Sequence, residues 1–317
     1  MRFRAYLLFV LLWTTLVYDP LAHWVWGDGG WLRALGALDF AGGTVVHVSA
    51  GTTALVAAIF LGPRREYRRV PIVPHNVPFT LLGAGLLWFG WFGFNAGSAL
   101  AANDVAALAF VTTHTAAATA LTAWMLLDIV RLGRPTAVGA ATGAVVGLVA
   151  ITPAAGFVTP RGALAIGALA AAASYAAIVV RSRTRVDDAL DVFACHGVAG
   201  ILGALLTGVF ATKTVNPAGA DGLLAGNPAQ LGVQALAVLA TIVLAAVASI
   251  AILAILRATV GLRVSLDDEV TGLDIGEHGE EAYTGGDVGA LAGRRMALGD
   301  SVVIPVGEVV PPVRVTA

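Results

Sequence analysis

Two histidines lie inside long apolar runs, where ionisable side chains are costly and usually face a cavity or a partner. His47 follows Asp39 by eight residues in one run, and His196 stands at similar depth past Asp191 in another. An imidazole can donate, accept or relay a proton near neutral pH, or bind a metal. A lone histidine in such a run is more often a packed, hydrogen-bonded core residue. Two in related settings favour a shared polar site. Both segments read Leu-Asp, a short gap, then His-x-x-Ala-Gly: Leu38-Asp39 before His47 to Gly51, and Leu190-Asp191 before His196 to Gly200. No carboxylate or thiolate stands at ligand spacing beside them, so the pair makes a poor zinc site, and no metal or cofactor is expected.

A second group lies at the end of another apolar run. Trp88 to Ser98 interleaves aromatic rings with glycines and closes on a hydroxyl. Aromatic residues near a helix end ordinarily form an interfacial belt. That reading suffices for Trp24, Trp31 and Trp88. It does not account for a ring and a hydroxyl sharing one motif, a combination that can hold a small cation by cation–π contact and hydrogen bonding. Trp26, in the preceding loop, can lie at the same mouth. Asp39 sits before Gly42-Gly43, and its plain reading is a helix N-cap. The same reading applies to Asp191.

The elements that carry these residues are membrane helices. Of 317 residues, 58% are hydrophobic and 12% charged, about half the charge of a soluble domain. A net charge of −1 gives no electrostatic reason to expect nucleic acid. Cys195 is the only cysteine, which excludes an intramolecular disulfide. Eight segments suit a span of about 20 apolar residues: 5–22, 40–61, 77–99, 105–130, 137–158, 162–180, 189–211 and 230–260. The first is read as a retained helix rather than a cleaved signal, although Tyr18, Asp19 and Pro20 interrupt it. Gly139, Gly143 and Gly147 allow close helix packing.

Alternate loops hold Arg2, Arg4, Arg64, Arg65, Arg68, Arg69, Arg131, Arg134, Arg181, Arg183 and Arg185 on one side, against Arg33, Arg161 and Lys213 on the other. This imbalance places the first set, and with eight helices both termini, in the cytoplasm. The histidine segments fall in the second and seventh spans. Their odd offset makes the copies antiparallel, the mark of an inverted repeat with its site near the midplane. Residues 1–263 then form the transmembrane part and 264–283 a polar cytoplasmic tail. The Gly-, Val- and Pro-rich end, 284–317, reads as disordered.

Four stretches together resemble the ammonium transporter (Amt/Mep/Rh) family: Gly36 to His47, Trp91 to Ser98, Asp191 to Val198, and Gly272 to Tyr283. The resemblance runs over about residues 5–283. It implies an all-α, polytopic inverted-repeat bundle, here beginning at the family's fourth helix and lacking the first three. It implies that His47 and His196 are a twin-histidine pore pair, Trp91 lines the pore and Phe94 is a gate. Trp26 and Ser98 would recruit ammonium at the outer mouth, with Asp39 the acid nearby. It also implies a multi-pass protein of the cytoplasmic membrane, a homotrimer, and a PII-type signal protein at the cytoplasmic face. Gly272, Asp274 and Gly279 would belong to a regulatory tail. An enzyme is not expected, since no nucleophile–base set appears. The alternatives are an ammonium sensor of the same fold and a non-conducting fragment.

The tail carries Asp267, Asp268, Glu269, Asp274, Glu277, Glu280 and Glu281, complementary in sign to Arg181, Arg183 and Arg185. Exposed pairs of this kind are worth up to ~1 kcal/mol each. Gly272→Asp is expected to block or uncouple transport while membrane insertion is kept, and removal of 284–317 to change little. Flux measured beside the membrane-inserted fraction checks this; equal damage from both changes refutes the division of the tail.

Overall fold

The computed structural model describes residues 1–69 and 74–282, and among these residues the secondary structure is entirely helical. The chain divides into Met1–Arg263 and Val264–Ala317. The expected disordered end, 284–317, lies outside the described residues.

In the first unit, helix ends follow local chemistry. Asn76, Asn103, Thr136 and Thr159 each cap the helix that follows by accepting the backbone N–H three residues on, which satisfies donors that a helix start leaves free. The helices so begun are α5 (Val77–Gly97), α6 (Asp104–Leu132), α7 (Ala137–Ile151) and α8 (Pro160–Arg181). Before them stand α1 (Phe3–Trp13), α2 (Asp19–Trp26), the single turn α3 (Trp31–Ala34) and α4 (Ser49–Leu61). After them come α9 (Ala199–Phe210) and α10 (Ala229–Thr259).

Tyr18, Asp19 and Pro20, which interrupt the apolar run in sequence, do not interrupt the helix. A π turn over Thr14–Tyr18 joins α1 to α2, and helix runs on to Trp26. A π turn already displaces the hydrogen bond that a proline cannot donate, so the chain passes Pro20 without a break.

Among the described residues, seven helical segments are long and apolar enough to cross a membrane. The eighth expected span, 137–158, is helical only to Ile151. Its 15-residue helix α7 is too short to fill a bilayer core alone, and turns over 152–157 continue the segment. Pro153 follows, and the turn after Ile151 gives its carbonyls away: Phe40 N–H donates to Pro153 at 3.1 Å and Ala41 N–H to Thr152 at 3.2 Å. Such non-helical backbone is tolerated at membrane depth only when covered by protein. Ten of the fifteen α7 residues are buried. A Cβ on Gly143 would meet Trp124 and the Ala120 carbonyl of α6, and one on Gly147 would meet Ala117 and Ala120. The four-residue glycine spacing therefore lets α7 lie directly on α6.

The two histidine segments cross at glycines. A Cβ on Gly51 would strike the backbone of Gly197, and one on Gly200 would press on His47 Cβ at 3.1 Å and the Gly43 carbonyl at 3.2 Å. Gly51 and Gly200 occupy equivalent places in the two copies, four residues past each histidine.

In the second unit, Ser265 and Asp268 form a reciprocal capping box at the start of α11 (Leu266–Thr271). Gly272 follows at φ 114° and Gly279 at φ 69°, conformations that favour glycine. Asp274 accepts the Ala282 N–H at 3.1 Å, and this bond, with that from Ile275, holds its carboxyl below the usual carboxylate range.

Gly51→Val is expected to destabilise the protein by about 3 kcal/mol, the upper part of the overpacking range, because the obstacle is backbone. Gly93→Ala, with nothing within 4 Å of the added atom, is expected to stay within about 1 kcal/mol. Thermal unfolding in detergent checks the pair, and equal stability of both variants would contradict the crossing.

Candidate functional site

The site begins with two π turns, Gly43–Val48 leading into α4 and Phe193–Val198 leading into α9. Each carries one histidine. The wide turn follows from what precedes it: His47 N–H reaches back to Gly42 at 3.1 Å, and Gly42 sits at φ 117°. Asp39 anchors this start. Its carboxylate accepts N–H groups from Gly42 at 2.8 Å, Gly43 at 2.6 Å, Thr44 at 2.8 Å and Val45 at 3.2 Å, and also the Thr44 hydroxyl. Burial pushes its carboxyl above the usual range, against the pull of the donors from Thr44, Val45 and Gly42.

At the second copy the cap is Asp188, not Asp191. Asp188 accepts the Phe193 N–H at 2.8 Å. Asp191 instead pairs with Arg181 at 2.6 Å and takes φ 53°, unusual for a non-glycine residue. Two acidic residues stand within four positions of each other, and only tertiary contact decides which one caps. Arg64 and Asp187 close the same region with a two-point pair, both contacts 2.8 Å. Burial alone would raise the Asp187 carboxyl, but the hydrogen bonds and charge of Arg64 hold it below the usual range.

The histidines meet. Nδ1 of His196 lies 3.3 Å from Nδ1 of His47, and the ring centroids are 5.4 Å apart. Trp91 stacks on His47 at 5.4 Å and 16°. Its indole is fixed by donation to the Thr152 hydroxyl at 3.0 Å, which donates in turn to the Leu148 carbonyl at 2.7 Å. Phe94 lies 6.1 Å from His47 and 5.5 Å from Trp91, edge to face. His47 is 3% exposed, yet no protein group partners its Nε2. An orphaned polar atom at that depth costs free energy unless a ligand satisfies it.

The structure therefore brings four expected residues into one ring cluster: His47, His196, Trp91 and Phe94. The other three are placed differently. Trp26 donates its indole N–H to the Asp39 carbonyl at 2.8 Å. Ser98 donates its hydroxyl to the Phe94 carbonyl at 2.8 Å. The Asp39 oxygens are occupied by their own loop. Among the described residues no group of three or more metal-ligating side chains occurs. Sequence reading missed Thr152, whose role depends on a turn, and Gln230 and Gln234. The two glutamines were detectable: they stand four apart near the start of the largely apolar α10, and buried polar groups in a span are seldom idle.

Asp39→Ala leaves four buried N–H groups without an acceptor, each costing about 1–3 kcal/mol. Loss of folded protein is expected, with Asp39→Asn milder because one oxygen remains. A stably folded Asp39→Ala protein would refute this capping role.

Comparison with known proteins is consistent over most of the chain. The family model described as Ammonium Transporter Family matches residues 1–283. An ammonium transporter of Aquifex aeolicus is 54% identical over 284 residues, covering 89% of this chain and 66% of that protein. One from Bacillus subtilis is 49% identical, covering 89% and 70%. The crystal structure of Saccharomyces cerevisiae Mep2 superposes with a TM-score of 0.80 at 38% identity, over 84% of this chain and 63% of that one. A structure described as a sensor Amt protein gives 0.74 at 34% identity, over 82% and 66%. The chain thus spans about two thirds of the length of the relatives it matches.

Proposed function

Since the chain belongs to the ammonium transporter family, a family of transporters rather than enzymes, we propose that this multi-pass membrane protein moves ammonium across the cytoplasmic membrane as neutral ammonia. The observation that carries the reading is the His47–His196 contact at 3.3 Å beside the unpartnered Nε2 of His47.

Two facing Nδ1 atoms at that distance cannot both carry a proton. One ring donates and the other accepts, so the pair shares a single proton in this contact. The donor ring then presents a bare Nε2, and the acceptor ring an Nε2–H. Such a pair can accept from one N–H bearing molecule and donate to another, which suits ammonia in file. Apolar walls exclude potassium, because desolvating an ion is costly in a dry pore. Ammonium escapes that cost by giving its proton to an acceptor at the outer mouth and crossing as ammonia. The histidine pair holds the neutral molecule or relays the proton separately.

In this reading Trp91 lines the pore and Phe94 gates it. Trp26 and Ser98 recruit ammonium at the outer end, and Asp39 supports that end by holding the loop to which Trp26 is bonded. Both termini lie inside, the assembly is a homotrimer, and the segment with Gly272, Asp274 and Gly279 regulates it, with a PII-type signal protein as partner. A sensing role is the second reading, favoured by the likeness to the sensor Amt protein.

His47→Ala or His196→Ala in a complete-length protein is expected to abolish selective ammonium flux in vesicles. Unchanged flux and selectivity would remove both residues from the pore, and a wild-type protein that binds ammonium without flux would favour sensing.

A further inference from the structure

Gln234 is 1% exposed and lies within α10, which carries neither histidine. Its amide makes three bonds to two other segments. Oε1 accepts the Leu38 N–H at 2.7 Å, and Nε2 donates to the Leu38 carbonyl at 2.8 Å. Nε2 donates also to the Ala204 carbonyl at 3.0 Å. Gln230, one turn earlier, donates to the Gly36 carbonyl at 2.9 Å and to Gln234 Oε1 at 3.4 Å.

These partners are not equivalent structural neighbours. Leu38 immediately precedes Asp39, whose carboxylate starts the π turn bearing His47. Ala204 lies on α9, two turns past His196. One amide thus ties the root of the His47 segment to the helix of the other histidine. The tie to Ala204 fits α9 closely, since a Cβ on Gly208 would lie 3.0 Å from Gln234 Cγ. The Leu38 peptide is held at both its N–H and its carbonyl, as by a neighbouring strand, so its orientation is fixed as well as its distance.

We infer that Gln234 is a positioning residue that sets the spacing of His47 and His196 from a third helix. The inference rests on the histidine-pair reading above. A helix crossing at glycines fixes how closely α4 and α9 approach but leaves them free to slide along each other. A three-bond amide placed away from the crossing removes that freedom. The apolar α10 offers no other side chain, among the hydrogen bonds of the described residues, that bridges these two segments.

The experiment uses the full chain, with ¹⁵N-labelled histidine, in lipid bilayers. The chain has six histidines, and His47→Gln and His196→Gln assign the two resonances of interest. Wild-type protein is expected to show one hydrogen-bonded Nδ1–H donor and one Nδ1 acceptor. Gln234→Leu removes all three bonds, and the paired signature is expected to be lost, with both Nδ1 shifts moving to unpaired values. Gln234→Glu keeps the acceptor toward Leu38 and can donate to at most one carbonyl, so the Leu38 and Ala204 carbonyls are no longer both held, and the same loss is expected; it serves where the leucine variant does not fold. Thr241→Val removes an equally buried hydroxyl of α10 that bonds only within its own helix, and the signature is expected to remain. A paired signature that persists in folded Gln234→Leu or Gln234→Glu, or that vanishes equally in Thr241→Val, overturns the positioning role. Absence of the signature in the wild type would instead overturn the histidine pair, and the inference with it.

Discussion

The approach of two backbones at Gly51–Gly197 and Gly200–Gly43 governs the rest of this molecule. Nothing larger than hydrogen fits at Gly51 without moving main chain. In a bilayer the hydrophobic effect does not draw helices together, so close packing and hydrogen bonds must do so. The contact brings His47 and His196 within hydrogen-bonding distance, although they lie 149 residues apart in sequence. It also requires that both helices begin near the crossing, because each histidine sits in the first turns of its helix.

Starting a helix inside the protein exposes four backbone donors that no water satisfies. The chain meets this demand with carboxylates. Asp39 takes four N–H groups at one start, and Asp188 takes one at the other. The unequal demand matches the geometry: the Asp39 loop makes a left-handed turn at Gly42, whereas the Asp188 start continues from a loop clasped by Arg64 and Arg181. The acidic residues beside the histidines thus cap helix starts or pair with arginine, while Nε2 of His47 is one of the buried polar atoms without a protein partner.

The aromatic residues divide in the same way. Trp91 is fixed at its indole by Thr152 and presents its face to His47. Trp26 is fixed at its indole by the Asp39 carbonyl. In both, the polar edge of the indole is bonded to protein, as suits a buried ring with a single donor.

Residue types and spacing were enough to determine the class of the molecule, most of its membrane helices and the two histidine segments that the fold brings into contact. The apolar runs mark membrane helices because a bilayer admits few alternatives. The repeated Leu-Asp and His-x-x-Ala-Gly mark a paired site because two ionisable groups at that depth need each other. Other features were decided by the fold. Pro20 reads as an interruption until a π turn absorbs it, and 137–158 reads as one continuous helix until the turn at Thr152 and Pro153 is tied to Phe40 and Ala41. Asp188 and Asp191 are indistinguishable as caps in sequence, and the position of Arg181 separates them. Gln234 is legible as an oddity in an apolar helix, but its partners, Leu38 and Ala204, are distant in sequence. Local patterns report the solvent each residue needs; which groups satisfy a buried polar atom is a property of packing, and only the tertiary structure supplies it.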